Sequence, residues 1–202
     1  MSTANAIKHK IDQLDSGSVF CAMDFLSLGN KGNIDVILHR LSETGSIRKL
    51  SVGLYDKPKK SDLLGYLTPY IPDVISAYMR RTGHTIIMDP LAAANALSLT
   101  TQVPAKMIFL TNGKSHKIAI CGVDITFIHA APKKLVGADT PIGIIIQSLH
   151  YFGKHAIPKR IVVKIAKMLS RNDLTLLKSF RTKTLQYITP QIDRIILNAK
   201  TN

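Results

Sequence analysis

Glutamate is almost missing from this 202-residue chain: Glu43 is the only one, and every other acid is aspartate. No glutamate occurs after residue 75, which excludes the Asp with Glu-x-Lys arrangement that restriction-type nucleases use to hold Mg²⁺ and orient water. The aspartates of that region (89, 124, 139, 173 and 193) are scattered without paired spacing. Its histidines (84, 116, 129, 150 and 155) show no zinc motif. Cysteine is scarce too, and Cys21 and Cys121 are too few and too distant for a disulfide framework. There is no Walker A loop and no Gly-x-Ser-x-Gly, and Gly29-Asn30-Lys31-Gly32 is too short and polar for a dinucleotide loop. No catalytic residue, cofactor or metal is therefore expected. Apolar runs fall short of the roughly 18 residues that cross a bilayer. The opening MSTANAIKHKIDQLD carries charge where a secretion signal would be apolar. The expectation is a cytoplasmic protein with reduced thiols and no membrane partner.

What the chain has is positive charge. Lys and Arg number 27 against 13 acids, a formal +14, and an excess of this size points to a polyanion as partner. The charge is unevenly placed. Residues 1–75 carry nine basic and eight acidic side chains, whereas 76–202 carry eighteen and five. Lys57-Pro58-Lys59-Lys60, followed by Pro69 and Pro72, marks the expected boundary between a domain over 1–75 and a second over 76–202.

The first region has the element order of a winged helix-turn-helix. Ile7, Ile11 and Leu14 repeat at helical spacing from Ala4, and Asp15-Ser16-Gly17 stops that helix. A short strand (18–20) follows. Next comes a short helix from Met23 to Leu28, capped at Asp24 or the residue before it and ended by Gly29. Asn30-Lys31-Gly32-Asn33 reads as a polar turn. From Asn33 to about Thr44, Ile34, Ile37, Leu38 and Leu41 make one apolar stripe, and Gly45 closes the helix. Two strands (46–50 and 53–56) with a tight turn form the wing. Such a helix lies in a major groove while the wing meets the phosphate backbone. Asn33, His39 and Arg40, together with Asn30 and Lys31 at its start, are the candidate groove contacts. Arg48 and Lys49 are candidate phosphate contacts on the wing.

Several of these segments resemble the AbiEi-like antitoxin family: Gly17-Ser18-Val19-Phe20, Asp24-Phe25, Leu38-His39-Arg40-Leu41, Gly45-Ser46-Ile47-Arg48 and Gly53-Leu54-Tyr55-Asp56-Lys57-Pro58. In the second region Asp89 to Leu97, Thr101 to Lys106 and Leu110-Thr111-Asn112-Gly113 resemble the same family. The resemblance implies a DNA-binding autorepressor of its own operator, the antitoxin of a type IV system. It counteracts a nucleotidyltransferase toxin without forming a stable complex. The wing of that family is richer in arginine just before Gly-Leu-Tyr, where this chain has Leu50-Ser51-Val52.

The second region reads as mixed α and β, so the whole is expected to be α+β: a winged helix-turn-helix followed by a basic α/β domain. Strands over 106–110 and 117–120 bracket Thr111-Asn112-Gly113-Lys114 as a predicted hairpin, and 123–129 alternates as another strand. Cys121-Gly122 reads as a turn beside a core thiol. Helices are predicted over 91–97, 141–151, 158–170 and 173–180. Along the third of these Arg160, Lys164, Lys167 and Arg171 form one basic stripe, a second candidate phosphate-contacting surface. The competing class is a protein-interaction module whose second domain counters a toxin while the winged helix serves only packing.

Overall fold

Ser2 starts the first helix by accepting the Asn5 amide, and α1 runs Thr3–Asp12 with Ile7 and Ile11 buried. Its end is closed by Lys57, whose Nζ donates to the carbonyls of Asp12 (2.8 Å) and Leu14 (2.7 Å), a cation where the helix dipole is negative. In this computed structural model residues 2–155 and 157–200 are described. The end positions of the two expected domains, Met1 and 201–202, lie outside them.

After β1 (Val19–Phe20), a 3₁₀ segment spans Ala22–Leu28 and leads into α2 (Lys31–Glu43). A hairpin of β2 (Arg48–Ser51) and β3 (Leu54–Asp56) follows. The sheet order is β1-β3-β2, antiparallel throughout, with Val52-Gly53 as the turn. Gly53 has φ +67° there, a conformation that glycine adopts at little cost. Ile34, Ile37 and Leu38 of α2 pack with Ile7, Ile11, Phe20, Phe25, Ile47 and Tyr55 in one core, and Leu41 borders it. Phe20 and Phe25 meet edge to face at 5.6 Å. A two-stranded ribbon, β4 (Lys60–Ser61) and β5 (Gly65–Tyr66), precedes α3 (Ile71–Thr82). The α3 helix ends on Gly83 in the left-handed region.

The structure moves three boundaries in this region. Asp24 is not the N-cap: that position is Cys21, and Asp24, at the third position of the 3₁₀ segment, accepts the Cys21 amide at 2.9 Å. Gly29 is extended (φ 165°), so it ends the segment without a left-handed turn. The polar turn at 30–33 is already helix, because Asn30 caps α2 by accepting the Asn33 amide at 2.9 Å.

The chain divides into two units, residues 1–84 with 118–124, and residues 85–117 with 125–202. A boundary at Ile75 would cut α3, whose Val74, Ile75, Ala77 and Tyr78 are buried. The first unit thereby gains Arg80 and Arg81, so residues 1–84 carry eleven basic against eight acidic side chains.

The second unit begins with β6 (Ile86–Met88) and α4 (Pro90–Ala96), the latter capped by Asp89, which accepts the Leu91 and Ala92 amides. The strands β7 (Met107–Thr111), β8 (His116–Ile120) and β9 (Val123–His129) give with β6 a sheet ordered β6-β7-β9-β8, of which residues 118–124 are grouped with the first unit. The predicted hairpin through Thr111–Lys114 therefore does not form: β7 runs parallel to β9, which lies between β7 and β8. The physical reason lies in partners distant in sequence. Asn112 Oδ1 accepts the Thr85 amide (3.0 Å) and Thr111 accepts the Ala130 amide (2.8 Å), tying the loop to the residues just before β6 and just after β9. The two-residue turn sits instead at Cys121-Gly122, where φ is +48° and +84°, the pair of positive values that tight hairpins favour. The Cys121 thiol is exposed rather than part of a core.

Helices α5 (Pro141–Phe152), α6 (Lys159–Met168), α7 (Arg171–Phe180) and α8 (Thr189–Lys200) complete the chain around Ile142, Ile146, Leu149, Ile165, Leu177, Ile188, Ile192 and Ile195. The helix predicted over 158–170 stops at Met168, because Ser170 and Asp173 form a reciprocal cap that starts α7. Arg171 thus belongs to α7, and the basic stripe is broken at Leu169-Ser170. Among the described residues no helix is long and apolar enough to cross a membrane.

Candidate nucleic-acid interface

The face of α2 opposite its core stripe is open. Asn33, Val36, His39, Arg40 and Glu43 are all exposed. At about 100° per residue they separate into two edges. Asn33 and Arg40, two turns apart, run along one edge, and their side chains make no hydrogen bond or ion pair among the described residues. Lys31, Asp35 and His39, each one turn from the next, run along the other. Val36 and Glu43 lie between.

The second edge faces the β2–β3 hairpin across a cleft of about 350 Å³. Lys31, Asp35 and His39 form one wall, Lys49, Gly53 and Tyr55 the other, and Arg81 reaches in from α3. Lys31 Nζ sits 2.6 Å from Asp35 Oδ2, with both side chains largely in solvent, so exchanging that partner for a phosphate sacrifices only a few tenths of a kcal/mol. His39 Nδ1 is 3.9 Å from Glu43. Arg81 is held in place rather than free to swing. Its guanidinium lies 4.9 Å over the Tyr78 ring, and Gly53 leaves the room it needs, since a Cβ there would come within 3.1 Å of Arg81 Cδ. Its Nε is buried without a hydrogen-bond partner among the described residues. Burial is also what pushes the Tyr55 hydroxyl in this wall above its ordinary pKa.

The predicted contacts separate accordingly. Lys31, Asn33, His39, Arg40 and Lys49 are all exposed on α2 or the hairpin beside it. Asn30 has committed its side-chain oxygen to the helix cap. Arg48 is committed internally. It donates through Nε and Nη2 to Asp56 (3.0 and 2.5 Å) and again to the Leu67 carbonyl (2.9 Å). Asp56 is fully buried, and its carboxylate raises the Arg48 pKa. Arg48 therefore holds the base of the hairpin and is not free on the wing for a phosphate as its position in the sequence suggests. On α6, Arg160 and Lys167 are exposed, while Lys164 is half-buried and donates to the Ser98 carbonyl at 2.7 Å.

Sequence reasoning missed Arg80 and Arg81. Arg80 chelates Asp24 (2.6 and 3.2 Å), which lifts the guanidinium pKa and fastens α3 to the 3₁₀ segment. The signal was present: Arg80-Arg81-Thr82-Gly83 has the basic last turn and following glycine of a helix C-terminus.

A family model for proteins of unknown function, DUF6088, matches residues 6–177. The chain belongs to DUF6088. The part shared with DUF6088 takes in α2, the β2–β3 hairpin, Arg81 and all of α6. No curated protein matches the chain.

Proposed function

We propose that residues 1–84 are a winged helix-turn-helix that binds double-stranded DNA in a sequence-specific way, with α2 as recognition helix and the β2–β3 hairpin as wing. The observation that carries this reading is the cleft between them, where Lys31, Lys49 and Arg81 converge beside the open face of α2. A phosphate backbone running through the cleft would meet three permanent cations and His39. The outer edge would then lie along base edges. Arg40 is suited to a guanine and Asn33 to an adenine, while Glu43, between the two edges, is suited to a cytosine amino group. The wider excess of +14, to which Arg160, Lys164 and Lys167 contribute, favours approach to any polyanion and lends non-specific affinity.

In this reading the protein represses its own operon. The antitoxin role, opposed to a nucleotidyltransferase toxin without a stable complex, rests on the resemblance stated above and is tested through the neighbouring gene. The direct test is fluorescence anisotropy with duplex DNA from immediately upstream of the gene, at about 50 and 200 mM salt. Specific binding that weakens steeply with salt, and that Arg40→Ala abolishes for this duplex more than for a scrambled one, supports the reading. Equal affinity for both duplexes overturns sequence specificity, and no binding at the lower salt overturns the interface.

A further inference from the structure

The second unit holds a larger cleft, about 620 Å³, between the segment after α4, the end of α5 and the start of α6. That volume is within the range of roughly 300–1,000 Å³ typical of small-ligand pockets. One wall is aromatic: Tyr151 and Phe152 stand edge to face at 5.1 Å and are each only partly buried. Another wall is cationic, formed by Arg160 and Lys164 one helical turn apart, and among the described residues no carboxylate lines the cleft. Lys164 and Tyr151 are tethered. Lys164 is tethered to the Ser98 carbonyl at 2.7 Å, while Tyr151 Oη donates to Gln102 Oε1 at 2.9 Å and pairs with Thr100 Oγ1 at 3.2 Å. The α6 helix begins at this cleft with Pro158 in the cap position and no side-chain cap, so its positive dipole end adds to the two cations.

We infer that this cleft binds a nucleotide unit, with the base stacked on Tyr151 and bordered edge-on by Phe152, whose ring stands at 76° to it, and the phosphate held by Arg160, Lys164 and the start of α6. A flat ring beside a compact anion matches both walls at once. An aliphatic ligand would leave the cations idle, and a bare anion would leave the aromatic wall bare. The hydroxyls of Ser98, Thr100 and Thr101 in the lining supply further hydrogen-bonding partners for a ribose or base edge. The site goes beyond duplex binding by the first unit and does not depend on it. The unit could come from a free nucleotide or from an unpaired strand, since both present the same ring and phosphate.

Calorimetric titration of the full chain tests this with four probes: AMP, adenosine, inorganic phosphate and a six-nucleotide oligoadenylate. AMP should saturate one site, with adenosine and phosphate each about tenfold or more weaker. Arg160→Gln, at an exposed position, should weaken AMP about tenfold while leaving the unfolding midpoint unchanged, and Tyr151→Leu should weaken it by a similar factor. Oligoadenylate binding tighter than AMP supports the site with a strand as source, and equal or weaker binding supports it with a free nucleotide. The proposal is overturned if neither AMP nor the oligomer saturates, if inorganic phosphate equals AMP, or if Arg160→Gln leaves AMP affinity unchanged. Each of these results is independent of duplex binding in the anisotropy assay.

Discussion

Arg48 and Asp56, on adjacent strands of the first-unit hairpin, face one another in a two-pronged ion pair whose carboxylate is sealed from solvent. Removing the cation strands a buried charge. Arg48→Met should therefore cost about 3 kcal/mol or more in folding stability. Urea unfolding measures it, and an Arg48 variant of unchanged stability would mean that the pair is solvated in solution.

Lys49 and Arg81 line the cleft beside α2 without an ion-pair partner among the described residues. Removing one cation that neutralises a phosphate should lower the slope of log affinity against log salt by about one, so Lys49→Ala should flatten it while weakening all sequences alike. Arg40→Ala should instead lose about 1–3 kcal/mol of discrimination between operator and scrambled DNA. A Lys49→Ala protein with an unaltered slope removes the hairpin from the interface.

His150 is held neutral. Burial, with a smaller contribution from Lys134, lowers its pKa to about 4, and its Nδ1 is hydrogen-bonded to Tyr187 Oη at 2.7 Å. Above pH 6.5 both folded and unfolded chains carry it uncharged, and stability is complete. As pH falls from there the unfolded chain takes up the proton first, and stability drains until the folded state also titrates near pH 4. The loss is on the order of 2 kcal/mol once residual solvent screening is allowed for. Urea midpoints at several pH values should show this decline, and His150→Gln should remove the corresponding slope.

Gly143 on α5 is packed against the carbonyl of Gly137, which a Cβ at position 143 would overlap, and such a Cβ would also reach Ile87 Cδ1 at 3.0 Å. Backbone cannot step aside as a side-chain end can. Gly143→Ala should lower stability by several kcal/mol despite alanine's better helix propensity. Thermal unfolding decides it, and a gain in midpoint would refute the close approach.

The elements carried by strong periodicity were legible in the sequence. The α2 stripe of Ile34, Ile37, Leu38 and Leu41 is the clearest case, and its reverse face followed from it. The sequence is ambiguous where one interaction settles a boundary. Asn30 reads equally well as a turn residue or as a cap until its oxygen is seen on the Asn33 amide. Thr111-Asn112-Gly113 has the composition of a hairpin turn, yet Thr85 and Ala130, distant in sequence, claim its hydrogen bonds. The commitment of Arg48 was invisible for a similar reason: its partners Asp56 and Leu67 are eight and nineteen residues away. Arg81 entered the cleft only through the fold, because α3 is remote in sequence from the helix it serves.

The two thiols of this chain are opposites. Cys21 is enclosed, and burial reinforced by Asp24 pushes its pKa up, whereas Cys121 stands at the tip of a hairpin turn in open solvent. A maleimide dye added to the unmodified protein will therefore attach at one known position. That position offers a native handle for single-molecule or spin-label distance measurements, with no cysteine engineering required.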